Sequence, residues 1–382
     1  MFEKALPWFG RLFMLAITVL SPATVIWSDE PAGKLPYVEV APGGRGFRTV
    51  PGNEPFVPWG FNYDHDDAGR LLEDYWQAEW TRVEGDFQEM RDLGANVVRI
   101  HLQFGKFMIS PTKPNVDELG RLAKLVTLAE KTGLYLDLTG LACYHKKDVP
   151  AWYDELDEEG RWSAQAAFWE AIAKTCRESP AIFCYDLMNE PVVPGGKRQD
   201  KDWLGPPFGD KYFVQCITLD QADRERPEIA RLWIAKLTAA IRRQDQRHLV
   251  TVGLVDWSLD RPGLTSGFVP AKIAADLDFL CIHLYPKKDN LEADLKTLAL
   301  FAEIGKPVVI EETFALQCSL QEFDQFITGS REKAAGWIGF YWGKTPDELR
   351  QGKTLGDAIL LQWLEWFQTH PPKQPGKKPA GE

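Results

Sequence analysis

The sequence has few cysteines and few histidines, six of each in 382 residues, and its 44 Lys and Arg are outnumbered by 55 Asp and Glu. The net charge of -11 argues against nucleic acid or an anionic membrane surface as a partner. The cysteines have neither metal-ligand spacing nor the density of a disulfide framework. Several lie in or beside apparent strands, where buried free thiols are expected; the six are Cys143, Cys176, Cys184, Cys216, Cys281 and Cys318.

The N-terminal apolar run is too short to cross a bilayer. It spans Leu12–Leu20, follows Lys4 and Arg11 and precedes small residues, which is the composition of a signal peptide. We therefore expect residues 1–28 to be a cleaved signal peptide, with an uncleaved anchor as the alternative. The mature protein would then be secreted or periplasmic, without stable membrane association after cleavage, in a compartment that permits disulfides.

The sequence also lacks an internal repeat, and no glycine-rich dinucleotide motif follows its first strand-like run. Instead, apolar runs of strand length alternate with amphipathic helical segments from Phe56 to about His370, which is typical of a parallel α/β sheet. Eight such units fit a closed (β/α)8 TIM barrel better than an open doubly wound sheet, so we predict one barrel domain over residues 37–370. We also predict a hairpin-like entry at Tyr37–Val50 and a disordered tail over residues 371–382. The predicted strands are Phe56–Asn62, Asn96–Leu102, Leu134–Thr139, Ile182–Met188, Leu249–Leu254, Phe279–Leu284, Val308–Glu311 and Trp337–Tyr341.

The segment Ala181–Pro191, AIFCYDLMNEP, begins as an apolar strand and ends in Asn-Glu-Pro. Pro191 cannot continue a central strand because it has no N–H donor, so the chain turns there. Glu190 therefore lies at the C-terminal tip of a strand, on the face where α/β barrels carry their catalytic groups. We predict that Glu190 acts as a general acid and base; the alternative is a carboxylate in a solvated turn.

The segment Lys306–Glu312, KPVVIEE, repeats this arrangement and ends in two glutamates. Because side chains alternate along a strand, Glu311 and Glu312 are not expected to point the same way. One should face the barrel mouth as a nucleophile, and the other should pack outward or pair with a neighbouring strand. Two carboxylates on two strand ends are what the cleavage of a glycosidic bond requires.

Five further positions carry polar or aromatic groups in or at the ends of predicted strands. A buried Arg99 needs a partner, either the nucleophilic carboxylate or a structural salt bridge elsewhere in the barrel. His101, on the same face, is either a core or an active-site histidine. His283 and Tyr285 are two residues apart and share a face, so both can hydrogen-bond a sugar or the nucleophile. Trp342 either forms the floor under a sugar ring or closes the core.

Two predicted loops are long, over residues 140–160 and 191–225. Loops of such length in a compact barrel are more often functional than idle, and these lie on the active face. The first carries His145, a candidate substrate contact that is equally consistent with a plain loop histidine. The second loop indicates that one side of the cleft is restricted. Such a cleft would suit short oligosaccharides or cleavage from a chain end. We interpret the acidic group Asp64, Asp66 and Asp67 as a solvated loop, and no metal site is predicted.

Taken together, these motifs resemble glycoside hydrolase family five, the cellulase and mannanase family, within the clan of retaining (β/α)8 glycosidases. The resemblance covers Phe56 to about Gly343. Two features depart from it: Thr313-Phe314 follows the predicted nucleophile where the family usually has an aromatic residue and then glycine, and His145 lies in the loop after strand three. The motifs that carry the resemblance are Gly60-Phe61-Asn62, Arg99, Asn189-Glu190-Pro191, His283-x-Tyr285, the Lys-Pro run ending in Glu312, and Trp342.

The resemblance implies that Glu312 is the nucleophile, that Glu190 is the acid/base, and that Asn189 hydrogen-bonds the sugar 2-hydroxyl. It implies a retaining hydrolase that acts by double displacement on an oligo- or polysaccharide, a β-linked glucan or mannan, without metal or organic cofactor. Retention predicts that the two carboxyl groups lie about 5–5.5 Å apart. A transglycosylase on the same scaffold and a non-catalytic carbohydrate-binding barrel are the alternatives. The predicted substrate-binding residues are Asn62, Arg99, His145, Asn189, His283, Tyr285 and Trp342.

Overall fold

The computed structural model describes residues 35–261 and 263–372, so the predicted signal segment 1–28 and residues 373–382 of the predicted tail lie outside the described residues. Eight parallel strands form the central sheet of the described part. They are β1 (Trp59–Asn62), β2 (Val97–Gln103), β3 (Tyr135–Ala142), β4 (Ile182–Asp186), β5 (Leu249–Thr251), β6 (Leu280–His283), β7 (Val308–Glu312) and β8 (Gly336–Phe340). Their order in the sheet is β5-β4-β3-β2-β1-β8-β7-β6.

The two ends of this sheet, β5 and β6, meet and nearly close a barrel. A single parallel bridge joins Val255 to His283 just beyond β5. The backbone N–H of His283 donates to the carbonyl of Leu254 at 2.7 Å, and that of Asp278 donates to Val250 at 2.9 Å. The predicted (β/α)8 barrel is therefore confirmed, and each predicted strand is present with its ends shifted by a few residues.

A helix follows each barrel strand, and the sequence marks several helix ends. The Asn115 side chain caps the start of α2, and Gly133 ends that helix in the left-handed region at φ 73°, which glycine adopts without strain. Capping boxes at Ser319 and Thr354 begin α7 and α8. The helices are α1 (Trp80–Asp92), α2 (Val116–Thr132), α3 (Glu158–Cys176), α4 (Arg226–Gln244), α5 (Pro270–Ile273), α6 (Leu291–Ala302), α7 (Leu320–Ser330) and α8 (Leu355–Thr369).

Shorter elements decorate the loops between these units. Short helical segments cover Leu72–Tyr75, Phe104–Phe107, Lys146–Asp148, Ala151–Asp154, Asp256–Ser258, Ala274–Asp276 and Pro346–Gln351. Two small sheets pair Met108–Ser110 with Lys113–Pro114 and Pro191–Val192 with Gln215–Cys216. The second pair ties down both ends of the loop that follows β4.

The N-terminal hairpin closes the bottom of the barrel. Tyr37–Val40 and Phe47–Val50 pair antiparallel, as predicted, and Pro55–Phe56 extends this sheet. The Phe47 ring packs edge-on against Phe183 and Phe279, with ring centroids 5.2 Å apart in each case. These rings belong to an apolar cluster that fills the lower lumen with side chains from the barrel strands, including Val97, Tyr135, Cys184, Cys281, Val309 and Ile338.

A register shift in β7 places two consecutive glutamates inside the barrel. Ile282 is paired with Ile310, but the next residue of β6, His283, is paired with Glu312, so Glu311 is the extra residue of a bulge. Glu311 is fully buried and contacts Cys281 and His283 of β6. Of the two alternatives for the second glutamate, pairing with a neighbouring strand is therefore the one that the structure shows, and Glu312 is the glutamate that lines the cleft. Glu311 does not pack outward, because the bulge interrupts the alternation of side chains along β7.

The described chain carries all six cysteines as free thiols, five of them buried and Cys318 half-buried. Across residues 35–261 and 263–372, no helix is both long and apolar enough to cross a membrane.

Candidate active site

Glu312, at the tip of β7, is held by two donors from other strands. Arg99 Nη1 donates to Glu312 Oε1 at 2.6 Å, and the Tyr285 hydroxyl donates to Glu312 Oε2 at 2.7 Å. Burial alone would raise the pKa of Glu312, but the His283 and Arg99 charges and the Tyr285 hydrogen bond hold it below the usual glutamate value. The side chain is 12% exposed, so an ionised, oriented carboxylate oxygen faces the cleft.

Arg99 orients Glu312 and does not reach the cleft itself. The guanidinium is fully buried and also donates to Asp186 at 2.9 Å and to Asn189 Oδ1 at 3.0 Å. Asn62 is equally buried; its Oδ1 accepts from Arg99 at 2.9 Å, and its Nδ2 donates to two backbone carbonyls. The prediction that Arg99 and Asn62 bind substrate directly is therefore corrected, because neither has a free polar group facing the cleft.

Glu190 lies opposite, immediately after β4, in a strained backbone conformation. Its φ of 43° falls in the left-handed region, which is rare for a residue with a Cβ and concentrates at functional sites. In this conformation the side chain points toward β6. There, Glu190 Oε1 lies 2.9 Å from Nδ1 of His283. The Glu190 side chain is 19% exposed and is therefore accessible from the cleft.

The carboxylates of Glu190 and Glu312 are close enough for one sugar carbon to lie between them. An oxygen of each, together with a ring nitrogen of His283, falls within a 4.8 Å cluster. Retaining glycosidases have their two carboxyl groups about 5–5.5 Å apart, whereas inverting enzymes need about 6.5–9.5 Å to admit a water. The approach of the two nearest oxygens to within 4.8 Å is compatible with the retaining separation.

The two carboxylates open into a cleft of about 530 Å³ with aromatic walls. Trp342 stacks on Phe340 with ring centroids 5.3 Å apart and lines the cleft, and its role under a sugar ring stays a prediction. Asn189 also lines the cleft, although its Nδ2 donates to the Phe213 carbonyl at 3.0 Å. The loop after β4 forms one wall through Pro206, Phe208, Gly209, Asp210, Lys211, Phe213 and Val214.

The two histidines considered near β2 and β3 have different positions. His101 lines the cleft and contacts the Tyr144 hydroxyl, and burial and the nearby Arg99 charge hold its pKa well below the usual histidine value. His145 instead precedes a short helical turn and is not among the residues that line the cleft. Tyr144, the residue before it, is buried and contacts His101, whereas the substrate contact by His145 stays a prediction.

Below the two carboxylates lies a second acidic layer that sequence reasoning missed. One oxygen each of Asp137, Asp186 and Glu311 lies within a 4.8 Å cluster, and all three side chains are fully buried. Because side chains alternate along a strand, every second residue of β3 and β4 points into the barrel. This pattern could have revealed the layer, since it places Asp137 and Asp186 on the same inward side as Arg99. Arg99 Nη2 lies 2.9 Å from Asp186 and 3.6 Å from Glu311, so a buried guanidinium contacts two carboxylates of this layer.

The acidic group after β1 differs from the expectation of a solvated loop. Asp66 is fully buried, its carboxylate lies 2.8 Å from Arg70 Nη2 and 3.3 Å from Arg82 Nη1, and only Asp67 is near the surface. Asp64 is buried and lines the cleft. The paired arginines make burial of Asp66 possible, and this pairing could not be read from the spacing of the aspartates alone.

Two carboxylates on β4 and β7 at the C-terminal mouth of a (β/α)8 barrel are the arrangement found in the barrel glycosidases. The family model Cellulase (glycosyl hydrolase family 5) matches residues 61–346. The chain therefore belongs to glycosyl hydrolase family 5.

Curated relatives are mannan-directed enzymes. Mannan endo-1,4-beta-mannosidase A of Emericella nidulans is 28% identical over 240 residues, covering 57% of this chain and 53% of that protein. This chain spans about half the length of that relative and of two further mannan endo-1,4-beta-mannosidases.

Solved structures with the same barrel include enzymes of both endo and exo description. The beta-mannanase from the blue mussel Mytilus edulis has a TM-score of 0.60 at 15% identity, covering 88% of this chain and 97% of that one. An exo-beta-1,4-mannosidase from an Opitutaceae bacterium has a TM-score of 0.59 at 18% identity, covering 86% and 61%. At these identities the likeness shows the fold alone.

Proposed function

We propose that this protein is a retaining glycoside hydrolase of β-linked mannan or mannooligosaccharides, with Glu312 as nucleophile and Glu190 as acid/base. The observation that carries the proposal is the pair of partly exposed carboxylates whose oxygens lie within 4.8 Å at the barrel mouth. Family membership supports glycosidase chemistry, and the names of the curated relatives support mannan over glucan.

In the first step, a Glu312 oxygen attacks the anomeric carbon and the glycosidic C–O bond breaks. Glu190 gives its proton to the departing oxygen, so a shortened saccharide leaves and a glycosyl ester remains on Glu312. Arg99 and Tyr285 hold Glu312 ionised and aligned before the attack and need not move during it.

In the second step, water attacks the same carbon from the side that the leaving group vacated. Glu190, now a carboxylate, takes the water proton, and the bond to Glu312 breaks. Two inversions give net retention of the anomeric configuration. His283, 2.9 Å from Glu190, holds that carboxyl group in place through both steps.

The test compares sugar release from β-1,4-mannan, mannooligosaccharides, β-1,4-glucan, xylan and aryl glycosides. Wild type should cleave the mannose-linked substrates with retention, seen as the first-formed anomer by NMR. Glu312→Ala and Glu190→Ala should lose this activity, whereas Glu178→Ala, at an 88% exposed side chain, should keep it. Full activity in Glu312→Ala, an inverted product or a preference for glucan would contradict the proposal. Binding without cleavage would favour the carbohydrate-binding barrel, and dominant transfer to sugar acceptors would favour a transglycosylase.

We further propose that the protein acts on short chains, because the loop after β4 walls one side of the cleft. Phe208 on this loop is 76% exposed at the cleft, where it offers a ring face to a saccharide. Digestion of reduced mannohexaose should give one dominant product length in wild type and a broader spread in Phe208→Ala. Random internal cleavage by wild type would argue for an open endo-acting cleft.

Export of the protein through residues 1–28 is likewise a proposal, based on the composition of that segment. N-terminal sequencing of the protein recovered outside the cytoplasm should begin near residue 29. A protein that retains Leu12–Leu20 and sediments with membranes would favour the uncleaved anchor.

A further inference from the structure

Both carboxyl oxygens of Asp137 are buried, and neither accepts a hydrogen bond from an N–H or O–H group in the part of the chain that the structure describes. The buried Cys184 thiol, a weak donor, is paired with Asp137 across β3 and β4. Its neighbours include the carboxylates Glu311 and Asp186, with which it shares the 4.8 Å cluster. An ionised Asp137 would therefore be both unsatisfied and repelled by like charges. A neutral carboxylic acid can instead donate its O–H to Glu311, which removes both costs.

His283 is placed so that both of its ring nitrogens face carboxylates. Nδ1 lies 2.9 Å from Glu190 Oε1 and 3.4 Å from Glu312 Oε2, and Nε2 lies 3.3 Å from Glu311 Oε2. When Glu190 is ionised, a neutral imidazole would turn one lone pair toward a carboxylate oxygen, whereas an imidazolium donates on both sides. Burial opposes the charge, but Glu312 and the hydrogen bonds to Glu190 and Glu311 raise the pKa of His283 to about 10.

The barrel wall leaves room for the contact between His283 and Glu311. A Cβ at Gly253, just after β5, would lie 3.0 Å from His283 Nε2 and 3.3 Å from Glu311 Oε2. The bulge in β7 supplies the other half of the geometry, since it turns Glu311 into the lumen directly beneath Glu312. The ionisable groups that surround Glu311 and His283 are Arg99, His101, Asp137, Cys184, Asp186, Glu190, Cys281 and Glu312.

We infer that Asp137 is a neutral carboxylic acid hydrogen-bonded to Glu311, and that Glu311 is a positioning residue that holds His283 as an imidazolium against Glu190. The layer then carries one proton on Asp137 and a second on His283, while Glu311 and Asp186 stay ionised around Arg99. The pKa directions agree: burial and the Glu311 and Asp186 charges raise that of Asp137 well above the usual value, and Arg99 and His283 lower that of Glu311 despite its burial. The catalytic consequence rests on the proposed role of Glu190.

The protonation of His283 can be read directly by 15N NMR of the full chain labelled at histidine. His283 signals are assigned by their loss in His283→Gln. At pH 8, wild type should show two protonated ring nitrogens on His283, and Glu311→Gln should show one, because the amide removes the charge that stabilises the imidazolium. A neutral His283 in wild type at pH 8 overturns the inference.

Asp137→Asn is the matched variant for the buried proton. An amide N–H donates to Glu311 as the acid O–H would and carries no charge, so His283 should stay an imidazolium. The infrared difference between wild type and Asp137→Asn at pH 8 should contain a carboxylic-acid C=O band that belongs to wild type. Absence of that band, or loss of the imidazolium in Asp137→Asn, shows that Asp137 is ionised and contradicts the inference. The infrared band and the His283 spectrum of Asp137→Asn test the inference even if Glu311→Gln does not fold.

A positioning role for Glu311 also predicts a particular kinetic pattern. Glu311→Gln should lower kcat by about 10- to 100-fold with little change in KM, as for the loss of a charged hydrogen bond that orients a catalytic group. An unchanged kcat beside an altered His283 spectrum would remove the positioning role. If wild type cleaves no glycoside at all, the proposed function fails, while the spectra still report the proton on Asp137 and the charge on His283.

Discussion

The lower and upper halves of the barrel lumen are built by the same strands and have opposite chemistry. In the lower half, Val97, Tyr135 and Val309 pack with the floor of phenylalanines from the hairpin. One inward position further along β2, β3 and β7, the lumen holds Arg99, Asp137 and Glu311, all fully buried and charged or polar.

The contrast shows how a barrel can support buried charges. Packed apolar side chains below supply burial free energy and close the bottom of the lumen. The ionic layer above contributes orientation, since buried ion pairs seldom stabilise a fold more than apolar side chains would. Substitutions in the lower half should therefore change stability, and those in the upper half should change chemistry.

The largest expected effect is on the rate in Glu312→Ala. Loss of the nucleophile should lower kcat by at least about 10⁴-fold, the scale seen when a covalent catalyst is removed. The unfolding temperature should change little, because Arg99 keeps Asp186 and Asn189 as partners. Activity assays and calorimetry on one preparation give both values. A variant that unfolds at room temperature would show that this upper residue is structural.

The converse change is Phe47→Ala at the barrel floor. Removing this buried ring should lower the free energy of unfolding by about 3–5 kcal/mol, as for other buried Phe to Ala changes. The kcat of the molecules that stay folded should be unchanged. Urea unfolding measures the first quantity, with the exposed Phe208→Ala as the aromatic control. A stability loss of similar size in both variants would contradict the role of the floor.

Two tyrosines in the lumen allow a matched comparison of the halves. Tyr285→Phe removes a donor to Glu312, so the pKa of this carboxyl should rise and the acid limb of the pH–rate profile should move to higher pH. Tyr135→Phe removes a hydroxyl that donates to the Pro36 carbonyl at 2.7 Å, far below the site. Tyr135→Phe should therefore leave the acid limb of the pH–rate profile unchanged. Equal shifts in the two variants would show that the profile reports a global change.

The smallest expected effect concerns Asp245, a buried carboxylate outside the lumen. Burial opposes its charge, but hydrogen bonds from His248, the Arg247 backbone and Tyr185 lower its pKa to about 2. Its stabilisation should therefore be present above the unfolded value of about 3.9 and be lost as pH falls toward 2. The difference in melting temperature between wild type and Asp245→Asn should shrink over that window. A difference that grows as the pH falls would reverse the sign of the argument.

The strands, their order along the chain and the two catalytic candidates could be predicted from the sequence because they depend on local patterns. Glu190 stands before a proline, and the apolar runs have strand length. The bulge at Glu311 could not be predicted, since it arises from pairing between β6 and β7 and reverses the alternation rule. The inward position of Tyr144 could not be predicted either, because β3 runs on to Ala142, three residues beyond its predicted end.

The central claim is that Glu312, and not the adjacent buried Glu311, is the nucleophile. The most direct test is to trap the covalent intermediate with activated 2-deoxy-2-fluoro mannosides and glucosides and to locate the label by peptide mass spectrometry. The account predicts one labelled residue, Glu312, and no label in Glu312→Ala. A sugar attached to Glu311, or turnover by wild type with inversion and no trapped ester, would contradict it.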